Sequence, residues 1–154
     1  LWDEGYPKKA FEKAIKNSKK TAMSLSDKFC VDRHKVNFLD LVKNSLDITF
    51  ANEQEILSLI DTKNFEDVIA FGKNLRKLIV ITRGEKGSVA INNEEVAEFG
   101  IQKNLKIVDL TGAGDLFAAG FLHGYINNKS LKQCLEKGTE MSSKIIQVIG
   151  ARAS

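Results

Sequence analysis

The run LIVITR, residues 78–83, is a continuous β-branched stretch bounded by charge, and it reads as a buried strand. Text of alternating character surrounds it. Before it come a helical pattern from Lys8 to Lys20, a short strand TAMSLS, a helix from Arg33 to Asn44 and the strand DITFAN. The second helix should turn Phe38, Leu41 and Val42 inward. Helical text follows DITFAN twice, around EQEILSLI and FEDVIAFGKNL. Beyond LIVITR, the stretches SVAINN and EEVAEFG read as a hairpin with its turn near Asn92-Asn93, and KIVDL as a further strand. A helix with Leu116, Phe117, Phe121 and Tyr125 comes next, then one from Leu131 to Ile149. Its apolar positions are Leu131, Leu135, Met141, Ile145 and Ile149. Strands alternating with helices predict an α/β fold: a mostly parallel sheet with an antiparallel hairpin inserted.

Bulk properties narrow the function classes. A chain of 154 residues suits one domain, 1–154, with no repeat, low-complexity tract or linker. A net charge of +3, spread along the chain, gives no footprint for nucleic acid. The densest basic stretch, KKAFEKAIKNSKK, places Phe11, Ala14 and Ile15 at helical spacing and reads as a solvated helix face. Cys30 and Cys134 stand far apart, so neither a disulfide framework nor a metal knuckle follows, and a reducing cytoplasm is the default expectation. No segment approaches the length of a membrane-spanning helix. The opening, Leu1-Trp2-Asp3, has no methionine, which suggests a piece of something longer.

In open α/β sheets ligands bind beyond the carboxyl ends of the strands. Three polar constellations fall there. DITF runs into Asn52-Glu53-Gln54-Glu55, LIVIT into Thr82-Arg83-Gly84-Glu85-Lys86-Gly87, and KIVD into Thr111-Gly112-Ala113-Gly114-Asp115. In the last, successive backbone N–H groups at a helix start make an anion cradle, and glycine lets a phosphate approach. It is not a Walker loop, since no Gly-Lys-Ser/Thr follows, nor a dinucleotide fingerprint, since Phe117 takes the third glycine's place. Asp115 has two readings. As a helix cap it complements the dipole, worth about 0.3–1 kcal/mol. As a base beside a phosphate cradle it suits the deprotonation of a hydroxyl during phosphoryl transfer.

The stretch from Asp109 to Phe117, running on to Gly120-Phe121, resembles the C-terminal signature of ribokinase-like (phosphofructokinase-B type) kinases. The resemblance implies a three-layer α/β/α sandwich, Asp115 as catalytic base, and Gly112, Ala113 and Gly114 as the anion hole for the transferred group. Leu110 stands where threonine is usual. Asn52 and Glu55 resemble the family's Asn-x-x-Glu motif, which organises magnesium and its water. Their bland reading is a helix start with an acidic first turn. Thr82, Gly84 and Gly87 resemble a Thr-x-Gly-x-x-Gly stretch that lies along the nucleotide, their bland reading being a tight turn before a hairpin. Leu25-Ser26-Asp27 and the run from Phe29 to His34 look most like an adenosine-kinase-like sugar kinase branch.

The resemblance therefore implies an ATP-dependent phosphotransferase acting on a hydroxymethyl group of a sugar or nucleoside, with ATP and Mg2+ as cofactors. A monovalent cation is a further expectation, with Asp109, Thr111 and Ser154 as positions that could serve it. The family's N-terminal half, with its Gly-Gly motif, substrate contacts and lid, has no counterpart in these residues. That missing half is the expected partner, the chain by itself is expected to be inactive, and a homodimer stays open. The rival expectation is a non-catalytic nucleotide-binding remnant of the same fold. His34 reads as a surface histidine, His123 as a boundary residue and Cys30 as a small buried residue.

Overall fold

The computed structural model describes residues 16, 19–25, 28–100 and 113–152, with side chains as far as residue 143. Among the described residues five strands form one sheet in the order β1 (Ala22–Ser24), β2 (Ile48–Asn52), β3 (Leu78–Thr82), β4 (Ser88–Asn92) and β5 (Glu95–Phe99). The first three strands run parallel, and β4 and β5 close the sheet antiparallel. Helices α1 (Lys28–Arg33), α2 (Lys35–Asn44), α3 (Glu53–Leu59) and α4 (Phe65–Leu75) make the earlier crossovers; α5 (Ala113–Ile126) and α6 (Leu131–Arg152) end the chain.

Period-two alternation sorts the strands into two cores. Ala51, Ile79, Ile81, Val89 and Ile91 pack with Val31, Phe38, Val42, Ile56 and Val68 from α1–α4. Ile48, Phe50, Leu78, Val80 and Ala90 pack with Phe117, Phe121, Leu131 and Leu135 from α5 and α6. The result is an α/β/α sandwich with the central strands buried on both faces, which is why LIVIT carries no polar residue before Thr82. Phe121 is the centre of the second core. It is fully buried and meets Phe50 edge to face at 5.6 Å between ring centroids.

Several expectations shift. The helix expected over Arg33–Asn44 runs from Lys35 to Asn44, and a short helix that was not expected, Lys28–Arg33, precedes it, the two separated where His34 takes φ −124° and ψ 34°. Phe38, Leu41 and Val42 do face inward from the second of them. The hairpin turn sits one residue later than expected: Asn92 still pairs with Glu95, and Asn93 takes the left-handed φ of 59° that a two-residue turn requires. Met141 is 40 % exposed rather than core. Cys30 and His34 are half-buried, and His123 is exposed with its Nδ1 3.4 Å from Lys137 Nζ. The helix expected over Lys8–Lys20 falls largely outside the described residues, and the strand KIVDL and Trp2 fall wholly outside them. Among the described residues no helix is long and apolar enough to cross a membrane.

Helices α5 and α6 touch through backbone. A Cβ on Gly120 would stand 2.6 Å from the carbonyl oxygen of Lys137, and one on Gly138 2.8 Å from that of Phe117. Gly120→Ala should therefore destabilise the fold, by about 1–3 kcal/mol of overpacking, although alanine gains about 1 kcal/mol of helix propensity. A thermal melt checks this, and an unchanged or raised midpoint would show that the helices do not close there.

The two thiols should also separate. Burial pushes the Cys134 thiol up, keeping it protonated, while Cys30 is partly open to solvent. A raised folded pKa means that this contribution to stability is intact below the thiol's unfolded pKa and fades as pH climbs through the folded value. Timed alkylation at mildly alkaline pH, followed by mass spectrometry, should label Cys30 first and Cys134 only on unfolding.

Candidate functional site

The strand register builds one transverse row at the carboxyl edge of the parallel strands. Asn52 of β2 lies beside Thr82 of β3, Thr82 beside Ser88 of β4, and Ser88 beside Phe99 of β5. Counting back by two from Asn52 and Thr82 reaches Phe50 and Val80, so the row belongs to the face covered by α5 and α6. Helix α5 crosses that face against the strand direction. Its far end, Tyr125 and Ile126, lines a cleft of about 580 Å³ with Thr21, Ala22 and Ile48, at the amino ends of β1 and β2. Phe121 meets Phe50, and Phe117 belongs to the same core as Val80 and Ala90. The first turn, Ala113-Gly114-Asp115, is thereby brought toward the edge where Asn52 and Thr82 end. Within it Ala113 is buried, while Gly114 and Asp115 are exposed.

Asn52 and Glu55 form a reciprocal cap. The Asn52 side-chain oxygen accepts from the Glu55 N–H at 2.8 Å, and Glu55 Oε2 accepts from the Asn52 N–H at 2.9 Å. Glu55 is 5 % exposed, an acid held in the first turn of α3, where it satisfies otherwise unpaired backbone donors and meets the positive helix end. The motif spacing thus has a structural cause. The Asn52 side-chain oxygen and Glu55 Oε2 are engaged in the cap, and both are oxygen donors of the kind that suits a hard divalent ion or its water. Among the described residues no three His, Cys, Asp or Glu side chains gather as a metal cluster.

The loop from Thr82 to Gly87 closes on itself. The Arg83 N–H donates to the Gly87 carbonyl at 2.8 Å, and those of Lys86 and Gly87 donate to the Arg83 and Gly84 carbonyls. Gly84 and Gly87 take φ of 56° and 90°. At Gly87 a Cβ would stand 2.1 Å from the Phe99 carbonyl oxygen, so only glycine fits. Gly84 has open space around it, a left-handed residue facing solvent at the rim.

Two features were missed in the sequence. Arg83 reaches back to Glu53, its Nε and Nη2 donating to Oε2 and Oε1 at 3.3 and 3.2 Å, and its guanidinium lies 3.5 Å from the centroid of the Phe65 ring. An acid and a base each one step beyond paired strand ends was the available signal. Ser88 is 3 % exposed, and among the described residues its hydroxyl has no hydrogen-bond partner, beside Thr82 in the row. No sequence signal marks it. Gly112, Asp109, Thr111 and Ser154 lie outside the described residues.

This arrangement has relatives. The chain is 37% identical over 113 residues to a cytidine kinase of Thermococcus kodakarensis, covering 71% of this chain and 40% of that protein. The solved structure of an adenosine kinase from Sinorhizobium meliloti superposes with a TM-score of 0.84 at 39% identity, over 92% of this chain and 45% of that one. A probable sugar kinase from Rhizobium etli superposes with a TM-score of 0.87 at 38% identity, over 96% and 46%. The chain thus spans less than half the length of these relatives. The pattern of the family described as pfkB family carbohydrate kinase matches residues 6–154, and together with the α/β/α layering this places the chain in that family.

Proposed function

We propose that the protein containing this chain is an ATP-dependent kinase that phosphorylates a hydroxymethyl group of a sugar or nucleoside. In this reading residues 1–154 are the C-terminal, nucleotide-side part of its kinase domain. The observation that carries it is the side-by-side ending of Asn52 and Thr82 on the face that α5 crosses with Asp115 in its first turn. A phosphate chain lying along that edge would meet the Thr82–Gly87 loop at one end and the start of α5 at the other. The adenine would then rest near α6.

The roles follow from the chemistry. The Asp115 carboxylate accepts the proton of the acceptor hydroxyl as its oxygen forms a bond to the γ-phosphorus. The bond from that phosphorus to the bridging oxygen breaks, and ADP leaves with the electron pair. Backbone N–H groups of Gly112, Ala113 and Gly114 offset the charge spread over the transferred oxygens. Asn52 and Glu55 order the water around Mg2+, which when bound draws charge from the phosphates. Asp109, Thr111 and Ser154 are the positions proposed for a monovalent cation. Asp115 is exposed in the described residues, so shielding it from water and holding the acceptor fall to protein beyond this chain. That is the reason for proposing that the 154-residue chain turns nothing over alone.

One observation favours a second reading, a nucleotide-binding module without catalysis. The Asn52–Glu55 cap and the Gly87 contact with Phe99 each explain their motif by local structure alone. Asp115 decides between them. In the complete protein Asp115→Asn should lower kcat by about 10²–10⁴-fold, the size of general-base effects, with ATP affinity and melting temperature nearly unchanged. Asparagine keeps the side chain's size but cannot take the proton as a carboxylate does. A variant that melts earlier yet keeps its rate would make Asp115 a charge serving only the helix start and end the kinase reading of this loop.

The isolated chain should bind ATP weakly, in a magnesium-sensitive way, without turnover. Calorimetry on folded material at millimolar ATP checks the first point and a coupled ADP assay the second. No heat of binding would count against the nucleotide site.

A further inference from the structure

We propose that Glu53 and Arg83 are positioning residues of the nucleotide side, a clamp that sets where the Thr82–Gly87 loop stands against the first turn of α3. The inference rests on the nucleotide reading above and adds to it a pair from positions that both motifs leave open.

The geometry divides labour between two faces. At the carboxyl edge Asn52 and Thr82 are neighbours on the face of α5. The next residue along each chain, Glu53 and Arg83, pairs on the side of α4, whose first residue is Phe65. The clamp therefore lies behind the proposed phosphate path rather than in it. It is also built unlike an ordinary surface pair, which gains little because water screens it and two flexible side chains must be ordered. Here the side chains are only 18% and 24% exposed, the contact is two-pronged, and the Phe65 ring covers the guanidinium.

The loop needs such an anchor. Its backbone hydrogen bonds, Arg83 to Gly87, Lys86 to Arg83 and Gly87 to Gly84, are internal, and the pairing of Thr82 with Ser88 holds its ends in the sheet without tying it to α3. Ladder pairing of β3 with β2 ends at Thr82. Past that residue the Arg83 side chain carries the loop back to α3, whose first turn also holds the Asn52–Glu55 cap. Two constellations separated by 30 residues in sequence are thereby joined at one ion pair.

The test uses the complete protein with Glu53→Gln, Arg83→Met and the double variant. Each single change should raise the KM for ATP about tenfold while the KM for the acceptor moves less than about twofold. The double variant should be no worse than the poorer single one, as expected for residues acting as a unit. Arg83→Lys keeps the charge but not the fork and should fall between. Amide hydrogen exchange at Arg83, Lys86 and Gly87 should quicken in the variants while the amides of β3 keep their protection. Additive losses, or an equal rise in both KM values, would overturn the clamp. So would unchanged exchange in the loop, because Arg83 would then act by touching the nucleotide. A complete protein without ATP-dependent turnover would instead sink the kinase reading, and the exchange measurement would still decide whether the pair holds the loop.

Discussion

The parallel register of β2 on β3 is the constraint from which the rest of this structure follows. Pairing Ile48 with Leu78 forces Asn52 beside Thr82 four residues later. A slip of one residue would turn Phe50 and Val80 out of the core under Phe121 and send Ile79 and Ile81 to the wrong face. The register is therefore held by burial on both sides of the sheet. The two polar residues at its end are carried to one place by apolar residues buried in the two cores.

The second requirement is the position of α5. A helix start is an anion site only where a ligand can reach it, and a helix can slide or rotate on a sheet unless packing stops it. Here Phe121 is locked against Phe50, and Gly120 and Gly138 let α6 close to backbone distance behind α5. This packing fixes the height of Asp115 above the sheet edge. Large side chains on one face of α5 and none on another thus do separate jobs, the first against the strands and the second against α6.

Local structure and the proposed chemistry share the same residues. Asn52 and Glu55 satisfy the backbone donors of α3 whether or not an ion is near. Gly87 is required by the carbonyl of Phe99 whether or not a nucleotide lies on the loop. The bland reading of each motif describes these atoms, and the proposed one calls on the same atoms, because helix ends and tight turns are where a backbone offers N–H groups to a ligand. Asp115 differs: it is exposed at the start of α5, and among the described residues no hydrogen bond or ion pair is recorded for its side chain. Local structure accounts for it least.

By itself the sequence determined the strands β2 to β5 to within a residue or two, the burial of LIVIT and the polar ends of β2 and β3. Those properties are set by neighbours in the chain, through side-chain period and turn chemistry, and can be read there. It also held the inward set of α2 but not the break at His34, since one backbone dihedral leaves no trace in apolar spacing. Only the tertiary structure decided that Asn52, Thr82 and Ser88 form a row, that Arg83 reaches Glu53 across 30 residues, and that glycines at 120 and 138 meet. Each of these depends on how far one element is shifted along another. That shift is set by the summed packing of whole faces, to which no single stretch of sequence gives a local signal.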